Sequence, residues 1–156
     1  MTDNRPKATE QDWKIFDAVM KIRRKQNPGP EETAFLKTVE LKNEMALYIA
    51  EGTYNESCAF AKLLDRFREA LGANQAVFAK KLGYRSPSTI TNIKNGRSAS
   101  EELCFALAKL SGGIIGPELW MRVAQIENLH HLNTHKDHYQ SRLKAVIPAV
   151  SLPASA

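Results

Sequence analysis

The apolar residues of this chain recur mostly at intervals of three and four positions, which is the period of an amphipathic helix. The cleanest example lies between positions 56 and 71, where large apolar residues occupy i, i+3, i+4, i+7 and i+11 (Phe60, Leu63, Leu64, Phe67 and Leu71). No stretch of useful length alternates apolar and polar residues as a half-buried strand does. The pattern therefore predicts an all-α protein.

A first helix is predicted to begin at Thr9, where Asp12 completes a capping box, and to run to about Gln26 before a Pro-Gly turn. Its apolar residues fall in two adjoining stripes, so we expect the helix to bury a wide face. The first stripe contains Trp13, Phe16 and Met20, and the second contains Ile15, Val19 and Ile22.

A second helix is predicted from Pro30 to Glu51, where Gly52 stops it. Its apolar band, centred on Leu41, Met45 and Tyr48, has two possible interpretations. The band packs into the core of the same subunit, or it is a surface for a dimer or another protein. The sequence leaves both open.

Two short helices joined by a tight turn are predicted between Asn74 and Gly96. Asn74 caps the first helix, Gly83 ends it, and Ser86 caps the second with Pro87 in its first position. Apolar contacts are expected from Val77, Phe78, Leu82, Ile90 and Ile93. Short polar side chains are left to point outward from the second helix (Ser88, Thr89, Thr91, Asn92 and Asn95), and they suit hydrogen bonding to base edges.

Two more helices follow, one capped by Ser100 and one opened by Pro117, with Leu119, Trp120, Val123 and Ile126 as the apolar face of the latter. The expected organisation has five parts. They are flexible tails at 1–9 and 140–156, an N-terminal helical extension at 10–52, a helix-turn-helix domain at 56–112 and a C-terminal helix at 117–139.

The positive charge of the chain is concentrated on this helix pair and the helix before it. Between Lys62 and Arg97 there are eight basic and two acidic residues, a net +6 against +5 for the whole chain. A phosphate-binding surface requires such a concentration. Asn74 and Gln75, at the first turn of the motif, are also suited to hold a phosphate.

The stretch from Phe67 to Leu110 resembles the lambda-repressor/Cro-like helix-turn-helix family, also called XRE-like, through LGANQAVFAKKLG, TITNIKNG and the leucine helix that follows. The resemblance implies a five-helix module, at about 56–112, that binds operator DNA as a homodimer. By analogy, Pro87, Ser88, Thr89 and Asn92 would read bases. The phosphate contacts would come from Arg68, Asn74, Gln75, Arg85, Thr91, Lys94, Asn95 and Arg97. One residue more than the usual spacing separates Gly83 from Ile90, so Arg85 could reach the backbone or a base from a lengthened turn.

A fainter resemblance follows downstream, where GPELWMRVAQIENL is similar to antitoxins of type II toxin-antitoxin pairs. Such antitoxins repress their own operon and bind a toxin. The main interpretation is a sequence-specific repressor of double-stranded DNA. An antitoxin and a protein-interaction adaptor, which would bind its partner through the first two helices and the Trp120 helix, remain the alternatives.

The remaining chemistry adds little to this interpretation. His131, His135 and His138 could lie on one helical face with Glu127, but ligands in line along one helix do not readily surround a metal ion, so a solvated or interfacial helix end is favoured. Cys58 and Cys104 lie in apolar helical patterns and are expected to be reduced thiols. With no apolar segment at the N-terminus, no nucleophile-base pair and no phosphate-cradling loop, we expect a cytoplasmic protein that is not an enzyme and needs no cofactor.

Overall fold

The computed structural model describes residues 7–153, and this part of the chain contains eight α-helices, one 3₁₀ turn and no strand. The all-α prediction is confirmed. The helices are α1 (Glu10–Arg23), α2 (Pro30–Glu51), α3 (Phe60–Ala70), α4 (Gln75–Lys81), α5 (Ser88–Lys94), α6 (Glu101–Leu110), α7 (Pro117–Thr134) and α8 (Lys136–Arg142), with the 3₁₀ turn at Glu56–Cys58.

The predicted helix signals of the N-terminal half are confirmed at atomic level. The Thr9 hydroxyl accepts a hydrogen bond from the Asp12 amide, and the Asp12 carboxylate accepts one from the Thr9 amide. Pro30 opens α2, and Gly52 ends it with a left-handed φ of +69°. α1 ends at Arg23 rather than Gln26, and Arg24 is its C-cap.

One hydrophobic core is shared by α2 and the helices of the motif. Trp120 of α7 is fully buried at its centre, with its ring centroid 5.5 Å from that of Phe60 and 5.9 Å from that of Phe67. The α2 residues Leu41 and Met45 are buried in the same core. The apolar band of α2 therefore packs within its own subunit, and no boundary between cores falls near Gly52.

The expectation that α1 buries a wide face is wrong for the single chain. Trp13 is 59% exposed and Phe16 is 53% exposed, while the second stripe is only half-buried. The reason is that α1 lies on the outside of α2 and contacts the rest of the chain along one edge. Gln11 fixes that edge by donating a hydrogen bond from Nε2 to the Gly113 carbonyl at 3.2 Å.

The predicted last helix needs correction, whereas the bounds of the module stay a prediction. Residues 56–112 contain the 3₁₀ turn and four α-helices, and both α2 and α7 pack against them in the same core. The predicted helix at 117–139 is interrupted at His135 and continues as α8. Of the predicted tails, residues 143–153 are exposed and contain no helix, whereas residues 1–6 and 154–156 lie outside the described part.

None of the described helices is both long enough and apolar enough to cross a bilayer.

Candidate nucleic-acid interface

The first motif helix, α4, is fixed at its start by Asn74. The Asn74 side-chain oxygen accepts a hydrogen bond from the Val77 amide at 2.8 Å, as its cap position predicts. Phe78 and Ala79 are buried and attach the helix to the core. Val77 does not share this role, because it is 42% exposed.

The turn after α4 is a glycine stop followed by a short irregular segment. Gly83 has a φ of +89°, a left-handed conformation that most residues avoid. Its amide donates to the Lys80 carbonyl and the Tyr84 amide donates to the Ala79 carbonyl, the paired bonds of a Schellman ending. Tyr84 is half-buried, and this burial raises the pKa of its phenol. The packing of Tyr84 against the core thus anchors the lengthened turn at its first residue.

The start of α5 differs from the sequence prediction by one residue. Pro87 is the cap rather than the first helical residue, and no side chain caps the helix. The Ser86 hydroxyl, predicted to cap α5, lies instead 2.8 Å from the Ser88 hydroxyl. The extra residue in the turn shifts the helix start, so α5 begins at Ser88.

The outward face of α5 agrees with the predicted division into core and surface. Ile90 and Ile93 are 1% and 6% exposed and point into the core. The side chains on the opposite side are exposed or half-exposed: Ser88, Thr89, Thr91, Asn92 and Asn95. Positions 88, 92 and 95 are spaced i, i+4 and i+7 and therefore form one stripe along the helix.

Gln75 of α4 and Thr91 of α5 are brought together across the motif. The Gln75 Nε2 donates to the Thr91 hydroxyl at 3.4 Å, and the Thr91 hydroxyl donates to the Pro87 carbonyl at 3.2 Å. The contact links the two helices near the start of α5.

Four cationic side chains predicted to meet phosphate fall into two groups. Arg85 and Arg97 are exposed and make no ion pair within residues 7–153. Lys94 and Arg68 are engaged within the protein, with Lys94 Nζ 2.8 Å from Asp65 Oδ1 and Arg68 donating to the Ala73 carbonyl at 2.9 Å. The free charge of this surface therefore lies in the turn and at the end of α5.

Asp65 is the residue of this region that sequence reasoning did not identify. Its carboxylate lies beside both Lys94 and Arg68, the latter at 3.5 Å. The pair with Arg68 follows from an i,i+3 spacing on α3 and was recognisable. The contact with Lys94 connects residues 29 positions apart and has no local signal.

The segment after α5 returns the chain to the core. Gly96 has a φ of +99°, and the Arg97 amide donates to the Asn92 carbonyl at 3.0 Å. A cleft of about 290 Å³ is bordered by Thr89, Asn92 and Arg97. Ser98 donates to the Asn128 side chain of α7 at 3.2 Å, which fixes the loop beside the motif.

The structure does not gather the histidines into one site. The Nδ1 of His135 lies 2.8 Å from the carbonyl oxygen of His131, and the helix break after Thr134 places His138 on α8. Within residues 7–153, no three His, Cys, Asp or Glu side chains are grouped so that they could hold a metal ion.

Comparison with known proteins identifies the central part of the chain. A helix-turn-helix family model matches residues 64–112, which run from the middle of α3 to the glycines after α6 and include both motif helices. Neither the curated proteins nor the solved structures contain a match to the chain. The family match agrees with the observed order of the helices and with the burial of Ile90 and Ile93. Residues 64–112 therefore form a helix-turn-helix domain, and the match supports a DNA-binding regulator of the lambda-repressor/Cro-like type.

Proposed function

We propose that the protein is a transcriptional repressor that binds a roughly palindromic operator as a homodimer, with α5 in the major groove. The observation that carries this proposal is the outward face of α5. It presents short polar side chains over seven residues, and the stretch from Asn74 to Arg97 contains five basic residues and no acidic one.

Base recognition is assigned to the N-terminal part of α5 and its polar stripe. The exposed Asn92 side chain can donate from Nδ2 to N7 of adenine and accept at Oδ1 from the N6 amino group, the bidentate pairing that distinguishes adenine in the major groove. Ser88 lies one turn earlier on the same stripe, and Pro87 and Thr89 flank it. These four residues are proposed to set the sequence preference.

Phosphate contacts are assigned to groups on both sides of that stripe. Arg85 and Arg97 supply free guanidinium groups, and Asn74 with Gln75 stands at the N-terminal end of α4. Thr91 and Asn95 add neutral donors from α5. Lys94 and Arg68 are proposed to contribute less than their charges suggest, because each is held by groups of its own chain. Such contacts position a protein on DNA and carry no sequence information.

The homodimer follows from the requirements of operator binding. Two copies related by a two-fold axis can place their α5 helices in successive major grooves, about 34 Å apart, and the site then has matching half-sites. A single seven-residue α5 reads only a few base pairs, so pairing is needed for a selective site.

The proposal is tested by selecting bound sequences from random double-stranded DNA with the full-length protein. We expect an enriched site with two inverted half-sites about one helical turn apart. Gel shifts at two salt concentrations then separate specific from electrostatic binding. Recovery of no preferred sequence would contradict the repressor and favour the adaptor.

The antitoxin alternative is a narrower form of the same proposal. Trp120, which suggested it, is fully buried against Phe60 and Phe67, so its presence is explained by the core. A protein contact could instead use the exposed face of α7, where Leu129 and Leu132 are 59% and 58% exposed. Co-purification with a small toxin-like protein encoded beside it would support an antitoxin.

A further inference from the structure

The exposed side of α1 carries a stripe whose centre is apolar and whose two ends have opposite charge. Trp13, Phe16 and Met20 form the centre and are 59%, 53% and 36% exposed. Glu10 lies at the N-terminal end, and Arg23 lies at the other end next to Arg24. Large apolar side chains with this exposure are unusual on the outer face of a soluble helix and indicate a contact surface.

Within residues 7–153, no segment covers the stripe. The side of α1 that faces α2 holds Ile15, Val19 and Ile22, which are half-buried. Trp13 contacts the edge of the Phe16 ring, with centroids 6.1 Å apart, so the aromatic rings are packed together on the outer side. A groove of about 460 Å³ between α1 and α2 continues the surface and is lined by Phe16, Met20 and Val39 among others.

The arrangement of the stripe is complementary to itself in the antiparallel direction. When two copies of α1 run in opposite directions with their centres near Phe16, Trp13 lies opposite Met20 of the partner subunit. In the same register, Glu10 lies opposite Arg23 of the partner subunit. A two-fold axis repeats each contact, as an isologous interface requires.

The charges at the ends are available for such contacts. Glu10 has only a loose ion pair with Lys14, at 3.7 Å between groups that are 88% and 76% exposed. Arg23 and Arg24 form no ion pair within residues 7–153. In a parallel arrangement, by contrast, like charges would meet at both ends. The charge pattern therefore favours an antiparallel pair.

We infer that the homodimer forms by antiparallel pairing of α1 with α1 of a second copy, with the Trp13, Phe16 and Met20 side chains as its apolar centre. The inference rests on the proposed function for the existence of the dimer and adds the surface that forms it. It also explains why the wide apolar face of α1, expected to be buried from the sequence, is exposed in a single chain.

The mass of the full-length protein in solution, measured across a dilution series, is the first test. We expect a dimer of twice 17.5 kDa. Trp13→Ala should raise the dimer dissociation constant at least about 10-fold, because a central aromatic residue dominates such interfaces. Leu47→Ala is the matched control, since it removes a side chain that is 66% exposed on α2 and lies outside the stripe.

A charge-reversal experiment tests the register. Glu10→Arg alone and the double variant Arg23→Glu/Arg24→Glu alone should each dimerise about 10-fold more weakly, because like charges then meet. An equimolar mixture of the two variants should regain dimers, since every end contact is again between opposite charges. Far-ultraviolet circular dichroism checks that α1 keeps its helix in each variant.

Each result separates this inference from the proposed function. A dimer that Trp13→Ala and the charge reversals leave unchanged overturns the α1 interface, while operator selection by the wild type still supports the repressor. A protein that remains monomeric at all concentrations overturns both the α1 interface and the homodimer of the proposed function, and leaves the stripe to the C-terminal tail or to another protein. Failure to select any DNA site contradicts the proposed function, whereas the mixing result decides the interface independently.

Discussion

Asp65 of α3 holds Lys94 of α5 through an ion pair, with 2.8 Å between Oδ1 and Nζ. The same oxygen lies 3.5 Å from the Arg68 Nε, so one carboxylate restrains two cations beside the proposed DNA surface. The side chains of Asp65 and Lys94 are about one third exposed, so solvent screens the ion pair and limits its contribution to the stability of the fold. The pair still lowers the positive charge that is available to DNA.

Asp65→Asn is therefore expected to strengthen binding to random DNA. The change removes a negative charge near the interface and frees Lys94 for a phosphate, which should steepen the salt dependence by about one unit of slope. The loss of unfolding free energy should stay within about 1 kcal/mol. Glu51→Gln is the control, because it removes an exposed negative charge from α2 that forms no ion pair within residues 7–153. An unchanged salt slope in Asp65→Asn would show that Lys94 does not reach DNA.

Asn74 is expected to have two separable roles, one in the fold and one at the interface. Asn74→Ala loses the acceptor for the Val77 amide and should lower the unfolding free energy by about 1 kcal/mol. Asn74→Asp retains a good cap, so its stability should match the wild type, but its carboxylate should repel phosphate and weaken DNA binding. Chemical denaturation and gel shifts measure the two effects. Wild-type DNA affinity in Asn74→Asp would remove Asn74 from the phosphate contacts.

Trp120 is expected to act through the core alone. Trp120→Ala should cost about 3–5 kcal/mol of unfolding free energy, a large share of the stability of a domain. Trp120→Phe should cost clearly less, because it keeps a ring beside Phe60 and Phe67, and the buried Nε1 has no hydrogen-bond partner to lose among residues 7–153. Urea titration of both variants checks the order. Near-normal stability of Trp120→Ala would contradict its central place in the core.

The two cysteines are expected to differ in reactivity. Burial raises the pKa of the Cys104 thiol from 9.0 to about 11, with a smaller contribution from Glu101, whereas Cys58 is half-buried. A thiol reagent at pH 8 should modify Cys58 in the native protein and both cysteines in denaturant. Rapid modification of Cys104 in the native state would contradict its burial.

The raised pKa of the Cys104 thiol also predicts a loss of stability at high pH. The unfolded thiol releases its proton near pH 9.0 and the folded thiol near pH 11, so the unfolded state binds fewer protons between these values. The unfolding free energy should therefore fall across this window, by at most about 3 kcal/mol from this group. Cys104→Ala should flatten that part of the pH profile. An unchanged profile in the variant would assign the fall to other groups.

Local features of the fold were predictable from the sequence. The capping box of Thr9 and Asp12, the stop at Gly52 and the cap at Asn74 each depend on residues within four positions of one another. Such features depend on local capping hydrogen bonds and backbone conformations, which do not require tertiary contacts. The inward and outward faces of α5 were predictable for a similar reason, because Ile90 and Ile93 lie at a helical spacing.

Features that depend on distant contacts were not predictable. Periodicity identified α1 but could not show that Trp13 and Phe16 stay exposed among residues 7–153. The start of α5 depends on the conformation of a turn with one extra residue. In that turn the Ser86 hydroxyl lies beside the Ser88 hydroxyl and does not cap the helix amides. The Asp65 contact joins α3 to α5 across 29 positions of sequence.

The most direct test of the central claim compares Asn92→Ala with the wild type on a selected operator and on random DNA of equal length. Removal of an adenine-reading amide should cost about 1–3 kcal/mol on the operator and leave the affinity for random DNA nearly unchanged. Lys109→Ala, an exposed cation on α6, should affect neither. Equal losses of affinity on both DNAs would show that Asn92 holds the backbone, and would contradict base reading by α5.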